Sequence, residues 1–414
     1  MRLAGLSGCI ADNSLRKKPE SYKKMKSLSK YDVIIIGGGA AGFFAAKELV
    51  SRQKSVLILD MGENPLRKVL VSGGGRCNFT NTGANKSRFF GKNPNFAAAA
   101  LSRIKPRDIL DWAQSHNLTP VEKEAGQFFC KQGAAAIVEA MQKDAKDAEI
   151  KLGVLVKDVE KIAGNFVVET PAGKFFGQNL IVASGGISFP KLGVSDIGYK
   201  IAKKFGHKIV PVRAGLVALK TNAFSADLMG ISLPVEIKIG KKKIRDALLF
   251  THFGIGGPAA YRASIFDFDS DFQINFLPDI DVFEFLKSAK STDGAKMLST
   301  ILCQKLPEKF ARWIIGDTNK KISDCKDKDL GKLTEKLSNF VIEHSAISRR
   351  GFESAEITTG GVDTSEISPQ TFGSNLCAGL YFAGEVLDIS GDLGGFNLHF
   401  AFASGSIAGR LSSN

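Results

Sequence analysis

The chain has 414 residues, a length that holds two or three folding units. With 44% hydrophobic and 24% charged residues it has the balance of a folded globular protein, which excludes a disordered or fibrous chain. Its net charge of +14 is uneven, with +6 in residues 1–30 alone, so the body is only mildly basic and a dedicated polyanion-binding protein is disfavoured.

In chain order, residues 1–28 form a polar, basic tail without periodicity and are expected to be disordered. Leu6–Cys9, "LSGC", mimics a lipoprotein cleavage box, but the apolar stretch before it is shorter than the ~7–15 residues of a signal peptide. Met25 is the more usual lead into the first strand and an alternative start. Val33–Ile36 reads as a buried parallel strand, Phe43–Val50 as a helix and Ser55–Leu59 as a second strand. A polar, glycine-rich loop follows. Residues 95–116 and 133–147 have helical period, and strands are expected in 150–159, 165–170, 174–176 and 179–183. Residues 209–280 alternate as a β-rich unit, and 281–349 are Lys- and Leu-rich with helical period. Strands and glycine loops return over 355–400, and Phe396–Leu411 closes the chain as a helix. The "GKKKIR" run at Gly240–Arg245 reads as a solvated hairpin turn.

No apolar run approaches the ~18 residues of a membrane span, because glycines interrupt the longest, Val33–Ala46. The six cysteines contain no C-x-x-C pair, which argues against a dithiol centre, a zinc site or a secreted disulfide framework. A reducing cytoplasm is the expected setting, with no metal and no membrane partner.

The first two strands bracket the strongest motif. Gly37, Gly39 and Gly42 form G-x-G-x-x-G, and Asp60 ends the second strand 21 residues after Gly39. The first glycine permits the tight turn and the second lets backbone N–H groups approach a pyrophosphate. The third lets the helix pack on the strand, and the acid takes ribose hydroxyls. The motif alone does not choose between FAD and NAD. Three more glycine loops lie at ends of expected strands, where open α/β sheets bind ligands: Ser72–Asn78, Ala183–Pro190 and Gly379–Asn397. Together they suit a long cofactor with a distant second clamp.

The segments "SGGGRCNFTN", "ASGGISFPKLGVSDIGYKIAKKFGH", "LLFTHFGIGGPAAYRAS" and "ITTGGVDTSEISPQTFGSNLCAGLYFAGEVLDISGDLGGFNLHFAFASGSIAG" resemble the BaiN and aminoacetone-oxidase-like flavoprotein family, from about Tyr31 to Arg410. The resemblance implies an α/β fold: a Rossmann-like FAD-binding domain of glutathione-reductase type with an inserted β-barrel-like plus helical domain. The expected boundaries are 29–208 and 350–414 for the FAD domain, 209–280 for the β-rich insert and 281–349 for the helical insert.

It also implies non-covalent FAD. Gly37, Gly39, Ala40, Ala41 and Gly42 would hold its pyrophosphate, Asp60 its ribose, and the Val159 backbone its adenine. Ala183, Ser184 and Gly185 would sit near the cofactor, Gly384 and Glu385 beside ribityl and phosphate, and Gly394, Gly395, Phe396 and Asn397 at the isoalloxazine. Ser72, Gly73, Gly74, Arg76, Cys77 and Asn78 form a further cofactor loop. Phe396, His399 and Phe402 stand where the family more often has Tyr, Gln and Trp, which makes a relative's substrate unsafe to transfer.

FAD performs the redox chemistry, so few protein groups need titrate. His252 in "FTHFGIGGP", His399 and Cys77 are the candidate catalytic residues, each weighed against a packing role. Arg76 suits an anionic substrate or the cofactor phosphate equally. "GIGGPA" at Gly254–Ala259 meets G-x-G-x-x-A, but no acid closes a second strand after it, so NAD(P)H is expected only as a transient donor. The expected function is an FAD-dependent oxidoreductase acting on a small organic substrate, exchanging electrons with oxygen or NAD(P)H. A flavin-containing RNA-binding or RNA-modifying protein is the alternative. Nucleic acid takes second place because no basic motif is interleaved with aromatics.

Overall fold

The computed structural model describes residues 31–411; the basic tail, with Met25 and the Leu6–Cys9 box, lies outside them. Five strands run parallel through the first of two seven-stranded sheets in the order Glu149–Lys151, Val56–Leu59, Tyr31–Ile36, Gly173–Val182, Leu380–Phe382. The central ones are unbroken apolar runs because both of their faces are covered.

Gly173–Val182 does two jobs. Its first half pairs antiparallel with Asn165–Thr170, which in turn pairs with Asp158–Ile162, and its second half joins the parallel core. The two strands expected at 174–176 and 179–183 are therefore one. Gly177 lets it pass, since a Cβ there would come within 2.9 Å of the Ile34 side chain.

Local chemistry sets the other boundaries. The stretch 95–116 splits into helices Phe96–Arg103 and Pro106–Ser115, because Pro106 starts a new helix and disfavours helical backbone at Lys105. The stretch 150–159 divides at Gly153 (φ +68), whose N–H donates to the Gly62 carbonyl, leaving 152–157 as a loop between Glu149–Lys151 and Asp158–Ile162.

The first helix, Ala40–Val50, packs against the terminal helix, Phe396–Ala408. The backbones nearly touch. A Cβ on Gly405 would lie 2.2 Å from the Ala41 carbonyl oxygen, and one on Gly409 2.5 Å from that of Ala45.

The chain leaves this domain along Ile209–Gly215 and returns along Ile357–Val362, and these two strands pair antiparallel. Between them, seven antiparallel strands form a second sheet whose order runs from Phe340–Ile342 to Ser348–Arg349. This sheet is the part expected to be barrel-like, and its two end strands are not paired with each other. Helices Val282–Thr292, Glu308–Ile315 and Asp327–Ser338 share one core with it, so 209–280 and 281–349 are not separate units. Gly254 and Gly256 belong to this antiparallel sheet, which gives "GIGGPA" no parallel-strand context for a dinucleotide.

An ion-pair clasp joins the two bodies. Arg262, on the insert helix Gly257–Ala263, donates from Nε and Nη2 to the two carboxylate oxygens of Asp392 at 2.9 and 3.0 Å. Arg88 approaches the same carboxylate at 3.2 Å, and Asp392 is only 1% exposed.

Candidate functional site

The site begins where the first strand ends. Gly37 adopts φ +110, and a Cβ there would lie 2.3 Å from the Ala183 carbonyl oxygen. Gly42 serves packing instead, since a Cβ on it would be 2.1 Å from the Gly37 oxygen. Gly39 caps the helix Ala40–Val50 without a side-chain hydrogen bond, and the first turn holds no acid. The leading amides of that helix are thus left for an anion.

Asp60 is held rigidly at the wall. It accepts from the Gly38 and Gly62 amides, both at 2.7 Å, and from Arg67 Nη2 at 2.9 Å. A carboxylate has about four acceptor positions, so one remains for a ribose hydroxyl.

One continuous cavity of about 610 Å³ joins the glycine loops. Its lining includes Gly37, Gly39, Ala40, Ala41 and Asp60 among residues of the first βαβ unit, Ser72–Gly74 with Arg76 and Asn78, and Ala183–Gly185. Gly384 and Glu385 follow, then Gly394, Gly395 and Asn397. No atom lies within 4 Å of where a Cβ would stand on Gly39, Gly74 or Gly185, so these backbones are bare. Gly395 (φ +91) starts the terminal helix, again without a side-chain cap or an acid in the first turn. Two uncapped helix starts on one elongated cavity fit a dinucleotide cofactor with a polar head and a ring acceptor. The bare groups are the observation that carries this fit.

Six residues singled out from the sequence do not line the cavity. Gly42 packs the helix, as above. Phe396 is buried beneath the Arg88 guanidinium, 4.8 Å from its ring centre. Val159 is paired with Val168 in the antiparallel hairpin, and the wall near it is Val154–Val156, a shift produced by the turn at Gly153. Cys77 is buried at φ +52, and burial pushes its thiol pKa up to about 12, so it is not a thiolate. His399 is buried. Its Nδ1 accepts from the Thr80 hydroxyl at 2.8 Å and its Nε2–H donates to the Ile104 carbonyl at 3.0 Å, and burial lowers its pKa to about 4. His252 is exposed on the insert, its ring against Phe253. Neither histidine reaches the cavity. Ser184 does, although its hydroxyl packs against Gly198.

Sequence reasoning missed Glu356. Glu356 is exposed to solvent, and it opens onto the cavity that it lines. Desolvation raises its pKa and nearby Lys68 opposes the rise. Lys68 Nζ donates to Glu385 Oε2 at 2.7 Å and to Ser188 Oγ at 2.8 Å. Glu385 Oε1 accepts from the Thr358 amide at 2.7 Å, so Glu385 is fully partnered whereas Glu356 is not tied down in this way. The one sequence signal was a lone acid opening the apolar strand "ITTGGV". Gln127 and Phe129 also line the cavity and were missed, because strand pairing rather than sequence proximity brings them to Asn78.

Fold and cavity together define a Rossmann-type, FAD-binding oxidoreductase. The chain belongs to the HI0933-like protein Rossmann domain family, whose match spans residues 31–411. It is 40% identical over 91% of its length, and 97% of the relative's, to a ribosomal RNA dihydrouridine synthase of Haemophilus influenzae. A protein of the same name from Escherichia coli is 34% identical, over 91% of this chain and 96% of that one. A 3-dehydro-bile acid delta(4,6)-reductase of Clostridium scindens is 28% identical, over 92% and 98%. Among the described residues no helix is long and apolar enough to cross a membrane, and no group of metal-ligating side chains is assembled.

Proposed function

We propose that this protein reduces a uridine of ribosomal RNA to dihydrouridine, with FAD as the redox cofactor and NAD(P)H as the transient electron source. The carrying observation is near full-length identity of 40% and 34% to two proteins of that name. This reverses the order favoured from the sequence, in which a small organic substrate came first. The third relative, also named for a reduction, supports the reaction type while differing in substrate.

The reaction adds a hydride to C6 and a proton to C5 of uracil. Bound FAD supplies the hydride chemistry. The chain's own groups do the rest. The amides that open helix Ala40–Val50 would hold the pyrophosphate, and those that open Phe396–Ala408 would offer donors to the other end of the cofactor. The Gln127 and Asn78 amides, hydrogen-bonded to one another at 2.7 Å, offer donors and acceptors at the cavity wall. Glu356 keeps its proton to higher pH than an ordinary carboxyl and is the proton donor in this reading.

Incubating the yellow holoprotein with NADH or NADPH and unmodified ribosomal RNA transcripts, then digesting the RNA for mass spectrometry, tests the proposal. A nucleoside two hydrogens heavier than uridine is expected. Flavin that is reduced by nicotinamide and discharged by a small enone, while the RNA stays unchanged, would return the small-molecule reading to first place.

A further inference from the structure

Resting on the RNA reading, we propose that one face of the small sheet Asn78–Asn81, Pro120–Glu122 and Gln127–Cys130 is a docking surface for single-stranded RNA flanking the target uridine. A base can enter the cavity, but the polymer that carries it cannot, so an outside surface must hold the neighbouring nucleotides.

This face continues the cavity wall outward. Gln127 and Phe129 line the cavity, and Val121 stands directly opposite Phe129 in the antiparallel register. Lys123, hydrogen-bonded through its backbone to Gln127, places Nζ 4.9 Å from the Phe129 ring centre. The Arg76 guanidinium lies 5.4 Å from the same ring. Strand alternation sends Glu122 to the opposite face, where it pairs with Phe128. Among the described residues neither Arg76 nor Lys123 has an acidic partner within ion-pair distance, whereas nearby Lys68 and Arg67 do. Next to them Gly74 and Gly75 have nothing within 4 Å of a would-be Cβ, and Val71 on the cavity edge is 47% exposed.

The combination of a half-buried aromatic ring, two cations without a carboxylate partner and bare backbone is chemistry for single-stranded nucleic acid. The ring stacks a base without regard to sequence, and the cations take the adjoining phosphates. A small substrate engulfed by the cavity would leave Lys123 unused.

Fluorescence anisotropy of the holoprotein with a labelled oligouridine of about 12 nucleotides tests this across a salt series. Phe129→Ala is expected to weaken binding about tenfold, with Phe129→Trp restoring it. Arg76→Ala with Lys123→Ala is expected to lower the slope of log affinity against log salt by about 1.4, the loss of two phosphate contacts. Lys305→Glu and Lys332→Glu, exposed positions in the helical part of the insert, serve as controls and leave binding unchanged. Flavin absorbance per protein reports whether each variant keeps its fold and cofactor. If Arg76→Ala loses FAD, Arg76 belongs to the cofactor, and Lys123→Ala with Phe129→Ala decides. Wild-type affinity in those two variants overturns the surface while leaving the function standing. Wild-type protein that neither binds the oligonucleotide salt-dependently nor makes dihydrouridine overturns the function itself.

Discussion

His399 sits where no water can reach, and its ring is neutral by necessity. The unfolded chain takes up a proton near pH 6.5, whereas the folded one resists until about pH 4. Stability from this site is therefore complete above pH 6.5 and falls as pH drops through that window, by about 3 kcal/mol in all. Urea unfolding at pH 7 and pH 5 should show that loss in the wild type and a smaller one in His399→Gln. Glu356 has the opposite displacement, its carboxyl staying protonated beyond the usual range. Turnover is expected to fall as pH rises through its raised pKa. Glu356→Gln should cost about 10²–10⁴ in turnover and remove that basic limb, while reduction of the flavin by NAD(P)H proceeds as before. Pre-steady-state absorbance separates the two half-reactions. Residue identity alone did not reveal these roles: His252, His399 and Cys77 have the right chemistry in the sequence, but burial or distance removes them from the cavity.

Between elements, the closest approach is that of the first and terminal helices, where Gly405 and Gly409 meet Ala41 and Ala45. Both helices begin at the cavity, so their crossing fixes the separation of the two uncapped ends. Gly405→Val forces them apart. Protein purified with this change should carry markedly less FAD, and its absorbance ratio of flavin to protein should drop several-fold even where circular dichroism retains the helices. The strand–turn–helix–strand unit from Tyr31 to Asp60 was readable from the sequence because each residue's task is local: β-branched strand, positive-φ turn, uncapped helix start, acid at the next strand end. The Phe129 face was not, because strand pairing assembles it from three segments. Val159 was not legible as a strand residue turned away from the cavity, because the loop that follows Gly153 brings Val154–Val156 to the wall instead.

At the scale of the molecule, the Asp392 carboxylate is the point at which insert and FAD domain are tied. Removing it leaves Arg262 and Arg88 facing each other around an empty, nearly dry site. Asp392→Ala should lower stability by about 3–5 kcal/mol, seen as an early melting transition, and Asp392→Asn by less. The similarity to the relatives spans both bodies that the clasp joins.

The adjoining strands Ile209–Gly215 and Ile357–Val362 have one more implication. Exit and re-entry lie side by side, so the region between them is, in chain terms, a cassette hung from a single hairpin. Leu216 and Glu356, at the two ends of that cassette, both face the cavity. Exchanging the cassette for that of another flavoenzyme would alter what the cavity sees without rethreading the nucleotide-binding frame.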